Sequence, residues 1–214
     1  MPVLSIGDCI RFGWETFKKR PWILIGALFL CMFLPSIPNM LVPHQVVEPG
    51  QPIPPPSGAE LIGLLTSIAV GVLTSLGATS FALRAHDNIA TVKFSDLWNP
   101  DPFWRFLGAE ILVALIIIAG FLLFIVPGVI ASLGLSFVTY LVVDRGARPI
   151  EAIKESWRIT KGNKWQLLLP MLTLILLNIL GIVALLVGVL VTIPITWLAV
   201  THAYRTLSGP GPAR

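Results

Sequence analysis

Glu110 is the one carboxylate that falls inside a predicted membrane span, and an ionisable residue at that depth is a candidate proton relay or ion ligand. It stands about a turn and a half past Arg105, so it can also reach the nearby interface or pair there. Asn178, the amide nearest the middle of a span, has the chemistry to bond a neighbouring helix. His44, His86 and His202 fall on an outer loop, an inner loop and a helix end. No two share a helical face, so the spacing predicts no metal site. Nucleophile elbow, phosphate-binding glycine loop and H-E-x-x-H are all missing from the sequence, and with no large polar cluster neither a catalytic residue nor a cofactor is expected. Cys9 and Cys31 fall in an inner helix and in a span, which predicts neither a disulfide nor metal ligation.

The chemistry that spacing does favour is electrostatic. Asp144 to Trp165, DRGARPIEAIKESWRITKGNKW, holds six of the fifteen Lys and Arg residues. Within it Ile150, Ile153 and Trp157 recur at helical spacing, while Glu151, Lys154, Glu155, Arg158 and Lys161 lie largely off that stripe. Pro149 suits a first helical turn and Gly162 the position past the end. The pattern predicts an amphipathic helix over 149–161, too charged to span a bilayer and suited to lying along its surface. Lys154, Arg158 and Lys161 would each gain about 1 kcal/mol near anionic headgroups. The N-terminus echoes it: Trp14 falls under Trp157, Asp8 under Glu151, Ile10 under Ile153, Arg11 under Lys154 and Lys18 under Lys161. With Lys19, these residues form a second basic, tryptophan-bearing face. An internal duplication and a general pattern of basic helices before spans both account for the echo.

The elements that must position these residues are membrane spans. The chain has 214 residues, 55% hydrophobic and 12% charged, which excludes an ordinary soluble domain. A pI near 9.4 does not indicate nucleic-acid binding here, because the cations flank apolar blocks rather than striping a polar surface. Residues 1–20 are expected to form the first surface helix, capped by Ser5 with Asp8 three positions on. Spans are predicted at about 22–41, 61–83, 103–125, 128–143, 165–182 and 186–204, as three hairpins around the cytoplasmic helix. The first is read as an uncleaved anchor, its far end bent by Pro35 and Pro38. Residues 43–57 form a proline-rich outer loop. In the second span Gly63, Ser67, Gly71, Ser75 and Thr79 recur every four residues, which predicts the most deeply packed helix or, alternatively, the wall of a substrate path. Asp101 and Pro102 are expected to start the third span. A run from 103 to 143 would reach about 60 Å as one helix, so Pro127-Gly128 is expected to break it. A turn near 181–188 divides the last pair, and residues 208–214 form a flexible tail. All fifteen cations fall on the ends and connections of one side, which puts both termini in the cytoplasm.

Pro127-Gly128, Asp144, Glu151-Ala152, Ser156-Trp157, Thr160-Lys161-Gly162, Trp165, Pro194 and Ala203-Tyr204 with Leu207 together resemble the bacterial YciC-like six-span membrane proteins. These are relatives of the membrane domain of some glycerophosphodiester phosphodiesterases. The resemblance implies an all-α integral protein of the bacterial inner membrane and no catalysis. The expected function is a non-enzymatic accessory, scaffold or lipid-organising role at the cytoplasmic leaflet, with a small transporter or lipid translocator as the alternative. Expected partners are membrane lipids, anionic ones among them, and a membrane protein or second copy.

Overall fold

The computed structural model describes residues 5–43, 55, 57–162, 164–183 and 187–209. His44, most of the proline-rich loop and residues 210–214 lie outside them. The described chain is helical throughout, with helices α1 (Ile6–Lys19), α2 (Pro21–Phe33), α3 (Ile37–Met40), α4 (Gly58–Asn88) and α5 (Phe103–Leu123), followed by α6 (Ile125–Leu135), α7 (Val138–Arg145), α8 (Pro149–Thr160), α9 (Lys164–Val183) and α10 (Val187–Ser208). Five segments among the described residues are long and apolar enough to cross a membrane: Pro21–Met40, Gly58–Asn88, Phe103–Leu123, Ile125–Arg145 and Gln166–Val183. This is a membrane protein. The 22 residues of α10 include Thr192, Thr196, Thr201, His202 and Arg205 and fall outside that group.

Local chemistry explains the ends. Ser5 Oγ accepts the Asp8 N–H at 3.4 Å to start α1. A reciprocal box between Ser57 and Glu60 starts α4, satisfying two of the donors that a helix leaves free. At its other end Arg20 Nη1 donates to the carbonyls of Ile89, Ala90 and Val92 at 3.3, 2.9 and 3.0 Å. Arg20 thereby ties the head of α2 to the foot of α4. Pro35 and Pro38 do mark a bend, a 3₁₀ turn at Leu34–Ser36 followed by α3.

Several boundaries differ from the sequence reading. The break between the third and fourth spans is at Phe124 (φ −167°, ψ 160°), three residues before Pro127. Pro127 instead sits in the first turn of α6, where its missing N–H has no helical acceptor to lose. The turn is closed by Phe124 N–H to Gly120 O at 3.1 Å and Gly128 N–H to Phe124 O at 3.2 Å. Asp101 does not cap α5, whose start has no side-chain cap. Polar residues 84–88, read as a loop, continue α4 for more than a turn.

The largest correction concerns packing. Of the small-residue register in α4 only Gly63 is buried, while Ser75 is exposed. The enclosed span is Ile125–Arg145, with half its apolar window buried against 17% for Gly58–Asn88. The core gathers around it: Phe137, Val138, Leu141 and Val142 meet Phe106, Leu76 and Tyr204, all fully buried.

Candidate functional site: the α1 and α8 face of the bundle

Helices α1 and α8 dock on the same end of the bundle by small residues. In α8 the buried positions are Ala152, Ser156 and Thr160, one turn apart on a single face. The apolar stripe read from the sequence is divided: Ile153 packs half-buried against the core, while Ile150 is 62% exposed and Trp157 39%. In α1 the buried residues are Cys9, Gly13, Thr16 and Phe17, with Trp14 46% exposed. The register that sets Trp157 over Trp14 also sets Ala152 over Cys9, Ser156 over Gly13 and Thr160 over Phe17. All six of those residues are buried, so the two helices dock in one register.

Ser156 has a definite task. Between α6 and α7 the helix is interrupted at Ser136 and Phe137 (φ −107°, ψ 5° at Phe137). Ser156 Oγ donates to Gly134 O at 2.8 Å and accepts the Phe137 N–H at 3.3 Å. Thr160 Oγ1 reaches the same carbonyl at 3.4 Å. Hydroxyls from α8 thus satisfy backbone groups freed by a broken span, the condition for such a break in a membrane. The Trp157 ring lies across Gly134 and leaves no room there for a Cβ.

The cations are not equivalent. Arg158 forms a two-pronged pair with Glu155 at 2.8 and 2.6 Å, and Arg145 approaches the same carboxylate at 3.7 Å. Hydrogen bonds from Arg158 hold the Glu155 carboxyl below the usual carboxylate range, against partial burial and with both guanidinium charges assisting. Lys154 and Lys161 are exposed. On α1, Lys18 Nζ sits 5.7 Å from the centre of the Trp14 ring, within cation–π range, and Lys19 is exposed. Burial, with Asp8 adding to it, pushes the Cys9 thiol up to about 11, so the buried thiol stays protonated near neutrality.

Beside these helices is a polar network that the sequence did not disclose. Asp144, 6% exposed, accepts from Tyr204 Oη at 2.9 Å and from Arg205 Nη1 at 2.8 Å. Arg205 Nη2 continues to Asp87 at 2.7 Å. Asp87 meets His86 at 3.2 Å, and His86 Nε2 lies 3.2 Å from His202 Nδ1. Phe12 of α1 stacks on His202 and lies tilted against His86, with ring centres 4.5 and 4.6 Å away. The feet of α4, α7 and α10 are therefore joined, and α1 is seated on the joint. No cluster of three or more metal-binding side chains occurs among the described residues.

The two intramembrane candidates stand apart. Glu110 is half-buried on α5 without an ion pair among the described residues, because Arg105 donates instead to Gly146 O at 3.0 Å. Asn178 Nδ2 bridges α9 to α10 through Thr196 Oγ1 at 2.8 Å, and its Oδ1 is buried with no partner among the described residues.

The sequence matches the family described as Domain of unknown function (DUF7847) over residues 90–213, more than half of the chain. It is also similar to Uncharacterized protein Rv2560 of Mycobacterium tuberculosis and Uncharacterized protein Mb2590 of Mycobacterium bovis. Each is 25% identical over 228 aligned residues, covering 96% of this chain and 69% of the relative. No solved structure matches.

Proposed function

The chain belongs to the family described as Domain of unknown function (DUF7847), and from that premise we propose a non-enzymatic role in which it organises anionic lipid on the cytoplasmic leaflet. In this reading α10 is a sixth crossing, three hairpins place both termini in the cytoplasm, and the membrane is the bacterial inner membrane. The distribution of cations supports that orientation. One observation carries the lipid role. Both α1 and α8 spend their small residues on docking and turn Trp14, Lys18 and Lys19, or Ile150, Lys154 and Lys161, outward. An exposed aromatic and aliphatic stripe beside lysines is the arrangement that settles at the headgroup level. Arg158, committed to Glu155, contributes less than the lysines.

Replacing Lys18, Lys19, Lys154 and Lys161 with Gln tests the reading in native-lipid extracts by mass spectrometry. At about 1 kcal/mol per lysine, anionic lipid retention should fall at least tenfold while neutral lipid is unchanged. Undiminished anionic lipid would refute the role. A protein co-purifying without lipid would point to an accessory subunit instead.

Glu110 favours a second reading, a small transporter or lipid mover, since a half-buried carboxylate on a span without an ion pair is suited to carrying a proton. Glu110→Gln should then abolish pH-driven flux in proteoliposomes at normal protein abundance. Unchanged flux would remove this reading.

A further inference from the structure

A cavity of about 390 Å³ opens between α2, α4, α7 and α10, with Cys31, Ser75, Thr79, Tyr140 and Trp197 on its wall. Its depth follows from α4: Ser75 is roughly 25 Å from the start of that helix and roughly 20 Å from its end. The cavity therefore lies within the hydrocarbon of the bilayer, away from either headgroup layer. Its size falls in the range of built small-molecule sites.

Two properties of the wall define the occupant. Among the described residues no Asp, Glu, Lys, Arg or His lines it, a wall unsuited to a charged ligand at this depth. The threonine hydroxyls are already committed within α4, Thr74 Oγ1 to Gly71 O at 2.9 Å and Thr79 Oγ1 to Ser75 O at 3.0 Å. With their protons spent in this way, these two hydroxyls have no donor left for a ligand. Gly71, Pro35, Ala78, Ala82, Thr139 and Trp197 supply the rest of the wall. Ser75 is exposed, so the mouth faces sideways, where lipid tails are the surrounding solvent. We propose that this cavity holds one acyl chain of a membrane lipid, entered laterally past Ser75. The proposal stands apart from the headgroup reading above, because none of its residues belongs to α1 or α8.

The test uses the full chain reconstituted with a phospholipid bearing a diazirine in its acyl chain, followed by peptide mapping of the adducts. Adducts should concentrate on α4 between Gly71 and Ala82 and around Cys31 and Trp197. Ala78→Trp, which fills the cavity, should lower them about tenfold and leave those on the lipid-facing side chains of α5 unchanged. Ser75→Phe obstructs the mouth at an exposed position and serves if Ala78→Trp fails to fold. The proposal is overturned by adducts spread evenly over the lipid-facing helices and insensitive to both variants. It is equally overturned if a charged, membrane-impermeant thiol reagent modifies Cys31, which would mark a water-filled path. Loss of anionic lipid in the lysine variant with cavity adducts intact would separate the two claims.

Discussion

Asp144→Ala is expected to cost about 3 kcal/mol of bundle stability, the low end for removing one partner of a buried ion pair. Asp144 is nearly inaccessible and serves two donors from adjacent residues of α10, Tyr204 Oη and Arg205 Nη1. Its loss leaves one guanidinium edge without its acceptor and the phenol, on a fully buried ring, with only the Ser208 hydroxyl beside it. Asp87 still holds the other edge at 2.7 Å, and it is half exposed (53%), so it limits the damage. Asp144→Asn separates charge from shape. It keeps an acceptor for Tyr204 and removes the ionic attraction, and should cost less than half as much. Equilibrium unfolding in mixed micelles, with steady-state abundance in membranes, reads both variants. If Asp144→Ala unfolds like the parent, the network is incidental to the fold.

The variant should also loosen α1, which the charge argument alone would not predict. Phe12 packs against His86 and His202, and these belong to the two helices that Arg205 and Asp87 join. Faster hydrogen exchange in α1 than in α9 would follow from the shared joint. Equal acceleration in both would mean a general loss of stability.

What could be read from the sequence depended on which solvent the rule assumed. Rules about length and hydropathy carry over to lipid. Five apolar helices, the position of α8 and the bend at Pro35 all follow from runs of apolar residues and from proline's missing donor. The rule that an apolar stripe faces the core belongs to water. The apolar stripe of α8 divides in the fold, with Ile150 exposed, Ile153 packed against the core and Trp157 laid across Gly134. The docking face is Ala152, Ser156 and Thr160, with too little apolar area to register in a hydrophobicity pattern. The register of glycine, serine and threonine in α4 was visible for the same reason, but it borders a cavity as well as a neighbour. The meeting of His86 and His202 was out of reach, since 116 residues separate them and only the arrangement of α4 and α10 brings them together. The break at Phe124 was misplaced onto Pro127 because proline is the obvious punctuation, although in a first helical turn it costs nothing.

Ser156→Ala combined with Thr160→Ala is the second large effect expected, and its size lies in the coupling. Ser156 Oγ is fully buried and makes two bonds across the break, to Gly134 O and from Phe137 N–H. Removing it alone leaves the carbonyl with Thr160 at 3.4 Å and orphans only the amide, a loss of about 1–3 kcal/mol. Thr160→Ala alone should cost less than about 1 kcal/mol, because its shorter bonds go to carbonyls of its own helix, at 2.9 and 3.2 Å, which keep their helical role. Together the two changes leave both backbone groups without a partner inside a span. The double variant should therefore exceed the sum of the singles by about 0.5–3 kcal/mol. Unfolding free energies of the four proteins close the cycle, and hydrogen exchange at the Phe137 amide localises it. Simple additivity with an unchanged Phe137 exchange rate would mean that the break is stable without α8. Coupling with rapid exchange at that amide would make α8 a part of the membrane fold rather than an appendage on its surface. Its outward lysines would then be held in place by the same two hydroxyls that keep the broken span intact.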